Sequence, residues 1–419
     1  MDPVSRLILF ITFIITGVTA EEPAVFQPKV VGRGGDQFKD SPHFRIYGVS
    51  DAKADATIKQ LEAAYSCFVQ GLGWRSSGLS YNPGSDNGPY YKTNIYGLAR
   101  LDGGAAGVMR SDAKSGMSYL DVLATQITVP SVTVHEYGHG LTYHERNWVD
   151  QTRTGAWWET VAQFVADTYM TSSLCEKARA KYQIPEGRTI MELGKTIGNA
   201  HWVILDGTQR TANHYDAWPF LVYLTNNPDN YPGLGPSTVR DMFRKYARGS
   251  NETPLHTLQR VAAGTKVQKI VGRYWARMAY VDIGHKQARQ RFQTARSTIN
   301  YKNLDAAGTG SYNVKADRRP KYFGSNIIPL RGTGPISVQV TAATPFTATL
   351  VIKTKNGDVK YLELEAGSGK ANLEAGEEAS LVVVNTPDAL ILYDPFQITA
   401  TSPVAQGLNY AVKITGATV

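Results

Sequence analysis

His135 and His139 stand four residues apart in the run Thr133-Val134-His135-Glu136-Tyr137-Gly138-His139-Gly140-Leu141. On a helix that spacing puts both imidazoles on one face, about one turn apart. Two neutral imidazoles so placed can reach one tetrahedral zinc ion, each through a ring nitrogen. Glu136, beside the first histidine, is then directed at the metal's open position, where it can take a proton from a water that the metal has acidified. The pattern is HExxH, and the chemistry it predicts is hydrolysis by metal-activated water with Glu136 as the base. Pro130-Ser131 supplies a start signal for the helix, and Val132, Val134 and Leu141 give it apolar contacts.

A catalytic zinc takes three protein ligands and keeps one position open. The HExxHxxGxxH pattern would need Gly at 142 and His at 145, but these are Thr142 and Glu145, with His144 out of phase by one. Asp150 lies close downstream, yet its flanks, NWVDQTRT, lack the Gly-Thr before and Tyr-Gly after that aspartate-ligand zinc peptidases carry. Glu159 is the better candidate. It is the one carboxylate early in a second helical run, GAWWETVAQFVAD, whose apolar positions are 158, 161, 162, 165 and 166.

HEYGH followed by WWETVAQFVAD resembles the gluzincin class of zinc peptidases, in which two ligands come from HExxH and a glutamate from the next helix. Trp157, Glu159 and Ala162 also fit the W-x-E-x-x-A pattern of a secreted family of uncharacterised gluzincin-like domains. The resemblance spans about residues 43–230. It implies a zincin-like α+β catalytic domain, peptide or protein substrates, and zinc held by His135, His139 and Glu159. It also implies a His or Tyr donor for the oxyanion, for which His214 and Tyr215 in NHYDAWPFLVYL stand together; Tyr215 matches the helix bearing such a Tyr in related enzymes. One departure is Gln163, where the class has an Asp that orients a ligand histidine; Asp167 comes one turn later, and either residue is a candidate for that contact. Zincins bind peptide along an edge strand near the metal, with residues 105–110 or 116–120 as candidates here.

The elements that must position these residues follow from periodicity. Residues 43–49 read as a strand, 51–72 as a helix, 73–91 as a loop, and 93–100, 107–110 and 117–122 as short strands. From residue 128 the pattern is mostly helical through residue 296. A few strands followed by a run of helices predict an α+β domain. Near Arg318 the charged, proline-bearing ADRRPKY reads as a linker. Beyond it SVQVTA, FTATLVIKT, KYLELEA, ASLVVVN, ALILYD and YAVKITG predict a small all-β sandwich domain. The expected domains are 21–317 and 318–419, after a secretory leader over residues 1–20.

That leader has Arg6, an apolar run over residues 7–18 and small residues before Glu21. It predicts a secreted, extracellular protein without a stable membrane anchor. In that compartment the pair Cys67 and Cys175, the only cysteines among 419 residues, is expected to be bridged. The net charge of +8 collects partly between residues 284 and 322. It reads as a solvated helix face followed by a polar linker. Nothing resembles a nucleic-acid-binding motif, and that partner class is excluded. The rival outside enzymes is a catalytically silent secreted protein whose C-terminal sandwich binds glycans or another cell-surface ligand; an intact Glu136 argues against silence.

Overall fold

A computed structural model describes residues 22–419, so the leader expected over residues 1–20 lies outside the described residues. The first sheet contains β1 (Phe38–Asp40), β2 (Phe44–Tyr47), β3 (Thr93–Leu98), β4 (Gly107–Asp112) and β5 (Met117–Leu123), in the order β1-β2-β3-β5-β4. β2, β3 and β5 are parallel; β1 and β4 run antiparallel at the two edges. Of the two candidate edge segments, residues 107–110 therefore lie on the edge, while β5 is enclosed between β3 and β4.

α1 (Asp51–Tyr65) follows β2 and buries Ala54, Leu61, Ala64 and Tyr65. A wider helical turn, Ser66–Gly71, continues it and brings Cys67 to Cys175, with Cα atoms 5.1 Å apart in a disulfide. α2 (Pro130–His144) starts on Pro130, whose missing N–H is no loss at a helix N-terminus. α3 (Gly155–Thr171) packs across it. Gly138 allows the close approach: a Cβ there would stand 2.9 Å from Ala162 Cα and 3.1 Å from Val165 Cβ. The helical part continues through α4 (Glu176–Lys181), α5 (Leu193–Gly198), α6 (Pro219–Asn226), α7 (Thr238–Arg244), α8 (Pro254–Val261), α9 (Val267–Met278) and α10 (Lys286–Ala295). No helix among the described residues is long and apolar enough to cross a membrane.

The remaining strands are β6 (Leu304–Ala306), β7 (Ser311–Val314), β8 (Ser325–Leu330), β9 (Gly334–Ala342), β10 (Phe346–Lys353), β11 (Val359–Glu363), β12 (Ser368–Leu373), β13 (Glu378–Asn385) and β14 (Tyr410–Thr415). They form two antiparallel sheets, β11-β10-β13-β8 and β12-β9-β14-β7-β6. Ile328, Leu350, Leu381 and Val383 from the first sheet share a core with Ile336, Val338, Val412 and Ile414 from the second. The opposite face of the first sheet presents Ile327, Val351, Val382 and Val384 to the core of the helical part. Burial on both faces explains why β13 reads as an unbroken apolar run rather than an alternation.

The structure is α+β with a strand-rich C-terminal region, and three local expectations change. Strand pairing begins at Leu304 rather than after residue 318, because β6 pairs with β7 and β7 pairs with β14 close to the C-terminus. ADRRPKY is not a solvated linker. Arg318 is buried and donates to Asn303 Oδ1 and Gly198 O, and Tyr322 and Phe323 lie in the core. ALILYD is not a strand: residues 386–402 have no regular structure, because their polar groups pair with residues outside the sheets.

Candidate metal centre

The turn between β5 and α2 is fixed by one carbonyl. Ile127 O accepts from Gln60 Nε2 at 2.7 Å, from Thr57 Oγ1 at 3.3 Å and from Thr133 Oγ1 at 2.7 Å. α2 thereby starts against the sheet, with Val134, Tyr137 and Leu141 in the core and the opposite face turned to a cleft. His135 and His139 lie on that face, their ring centroids 4.8 Å apart and nearly perpendicular. From α3, Glu159 Oε2 stands 3.2 Å from His135 Nε2 and 3.4 Å from His139 Nε2. The three ligand atoms lie within 4.8 Å of one another, a group that could hold a metal ion. Asp150 is exposed at a positive φ of 62° between the two helices and is outside the group.

Burial and charge divide the two carboxyl groups. Burial pushes the Glu136 pKa up to about 7; Glu159 adds to this, while His135 and a backbone hydrogen bond at Met109 oppose it. Burial would also raise Glu159, but the two imidazoles facing it hold its pKa well below the usual carboxylate range. Glu136 is enclosed by the edge strand: a Cβ on Gly107 would lie 2.6 Å from Glu136 Cγ. Only glycine leaves that room.

The cleft has a volume of about 600 Å³, and residues 105–109 of the edge line it together with His135, Glu136, His139 and Glu159. Tyr215 also lines it, 40 % exposed, its hydroxyl pKa pushed up to about 12 by burial and the neighbouring Glu159 carboxylate. His214 does not line it. Its ring is buried behind Tyr215, with centroids 4.4 Å apart, while its carbonyl accepts from Thr160 Oγ1 at 2.7 Å. That bond ties the turn bearing Tyr215 to α3, one residue after Glu159. Gln163 lines the cleft, whereas Asp167 faces away. Asp167 accepts from Thr189 Oγ1 and Ile190 N, both at 2.8 Å, and lies 2.7 Å from His285 Nε2. It is therefore not the group that orients a ligand histidine.

One cleft residue has no counterpart in the sequence reading. Phe396 comes from the segment between β13 and β14 and lines the cleft beside Gly155 at the start of α3. A large aromatic directly after Asp394-Pro395 is the only local signal; the contact partners are far away in sequence.

The chain belongs to the Family of unknown function (DUF6055), whose model matches residues 34–419. The match covers the helical part and the strand-rich region together. No curated protein matches the chain.

Proposed function

We propose that this protein is a secreted, zinc-dependent peptidase of the gluzincin kind, with His135, His139 and Glu159 as ligands and Glu136 as base. The observation that carries the reading is the approach of Glu159 Oε2 to both imidazoles, at 3.2 and 3.4 Å. Tetrahedral ligands bonded at about 2.0–2.1 Å stand about 3.3 Å apart, so these separations suit zinc. A mixed imidazole and carboxylate set is also the donor chemistry zinc takes. The disulfide between Cys67 and Cys175 supports an oxidising, extracellular setting.

When bound, zinc supplies Lewis acidity and brings the pKa of water toward neutrality. A peptide laid along β4 adds a strand to the sheet and exposes its backbone carbonyl to the cleft. Glu136 takes the proton of the attacking water and delivers it to the leaving amine. Tyr215 donates its phenolic hydrogen to the carbonyl oxygen as negative charge develops there, and its raised pKa keeps that hydrogen in place at neutral pH. His214 acts through its backbone, holding the Tyr215 turn against α3.

The test is cleavage of a mixed peptide library by zinc-loaded wild type and Glu136→Gln. The variant should keep its zinc and lose about 10²- to 10⁴-fold in rate, the usual worth of a general base. Undiminished cleavage by Glu136→Gln would refute the mechanism.

A further inference from the structure

The segment between β13 and β14 leaves the strand-rich region and docks beside α3. Tyr393 donates its hydroxyl hydrogen to Leu205 O at 3.1 Å, and Gly207 N donates to Pro395 O at 3.0 Å. Phe396 N then donates to Asp394 Oδ1 at 2.9 Å, closing a tight turn that presents the Phe396 ring. Two glycines make room for that ring. A Cβ at Gly155 or at Gly207 would stand 2.8 Å from it, so neither position admits a side chain without moving the phenyl group. His214 closes the rear, edge-on, at 5.9 Å between centroids.

Held in this way, Phe396 nevertheless remains 49 % exposed, and its open face belongs to the metal cleft. Val108, Met109, Val132 and Trp158 provide further apolar lining. The charged or titratable side chains of the lining are His135, Glu136, His139, Glu159 and Tyr215, all engaged in the chemistry above. Among the described lining residues there is no Lys or Arg to hold a terminal carboxylate. Nor is there a carboxylate, beyond Glu136 and Glu159, to hold a terminal ammonium. A charged peptide end would find no partner in this lining outside the groups engaged in the chemistry, whereas an uncharged interior segment needs none.

We propose that Phe396 forms one wall of a substrate subsite for a bulky apolar side chain, and that the cleft takes the interior of a peptide rather than its ends. The inference rests on the peptidase reading and deepens it. It makes the strand-rich region part of the substrate site rather than a separate adhesion module. A phenyl face that covers an apolar side chain is worth about ten- to a hundredfold in discrimination against a charged one.

The test compares zinc-loaded wild type, Phe396→Ala and Phe396→Leu on peptides blocked at both ends, and on the same peptides with free ends, carrying Leu or Asp at each position around the cleaved bond. The same peptides are measured in equilibrium binding to Glu136→Gln and to Glu136→Gln/Phe396→Ala. Phe396→Ala should lower the Leu-to-Asp ratio about ten- to a hundredfold at one position, in kcat/KM and in affinity alike. Phe396→Leu, which keeps the socket filled, should retain most of that ratio, and zinc content should be the same in all. A ratio unchanged by Phe396→Ala in both measurements overturns the subsite, and so does a preference for free-ended over blocked peptides. Absence of cleavage by wild type would defeat the peptidase reading alone. The binding ratio would still decide the subsite, and absence of any peptide binding would overturn it.

Discussion

Between residues 43 and 285 the protein buries Glu62, Asp121, Glu136, Glu145, Asp167 and Asp206 together with histidines, Lys92 and several arginines; beyond residue 300, Arg318 is the one buried charged side chain among the described residues. The strand-rich core is instead aliphatic, built from Ile328, Leu350, Leu381, Val383 and their neighbours. In the first region several of the buried charges are paired. Glu62 faces His43 Nδ1 at 2.6 Å, Asp121 accepts from Arg33 and Arg110, and Asp167 lies against His285. Such pairs add little net stability over apolar packing, but removing one partner is expensive. They hold helices and strands in one arrangement, and the proposed metal site would depend on that, because its ligands must be held to within about 0.5 Å. The strand-rich region has no such demand except where the Phe396 segment leaves it.

This contrast can be broken at three strengths. The strongest is covalent. The bridge between Cys67 and Cys175 closes 108 residues, and α2, His135, His139 and Glu159 lie within that span. Replacing both cysteines by serine should cost about 3–5 kcal/mol in chemical denaturation, the loop-closure value for so long a span. A variant as stable as wild type would show that the bridge adds nothing to the packing that already holds the first region. In the sandwich, Leu350→Ala should cost about 2–5 kcal/mol through its cavity, and by the same amount at every pH.

The smallest effect carries the sharpest distinction between the regions. Burial would raise the Glu62 pKa, but hydrogen bonds from His43 hold it below its ordinary 4.5. A carboxyl group with a depressed folded pKa contributes stability above its unfolded value, and that contribution is lost as the pH falls through the folded one. Glu62→Gln should therefore cost about 1–3 kcal/mol at neutral pH, a charged hydrogen bond's usual worth. It should also flatten the loss of stability that wild type shows below pH 4.5. Parallel pH profiles for wild type and Glu62→Gln would contradict the assignment; parallel profiles for wild type and Leu350→Ala are expected.

What was legible in the sequence was local. His135, Glu136 and His139 depend on one helix's period, and Glu159 on the composition of the helix that follows, so the group that the structure brings together was readable from local pattern and resemblance. Features that rest on distant partners were not legible. The strand-rich region's true start required knowing that β7 pairs with β14, about 100 residues later. ALILYD has strand composition, but Tyr393 bonds to Leu205, 188 residues away. Asp167 matched a helical offset from Glu159, yet its partner His285 lies 118 residues on. Phe396 was invisible for the same reason: its socket is made of Gly155 and Gly207.

The central claim is that Glu159, and not Asp150, completes the metal site. Its most direct test is the zinc content of dialysed wild type, Glu159→Ala and Asp150→Ala by elemental analysis. Losing a ligand leaves two imidazoles on the ion, whereas losing an exposed bystander leaves the site whole. Wild type and Asp150→Ala should hold about one zinc per chain and Glu159→Ala very little. Zinc retained by Glu159→Ala but lost from Asp150→Ala, or no zinc in wild type, would contradict the account.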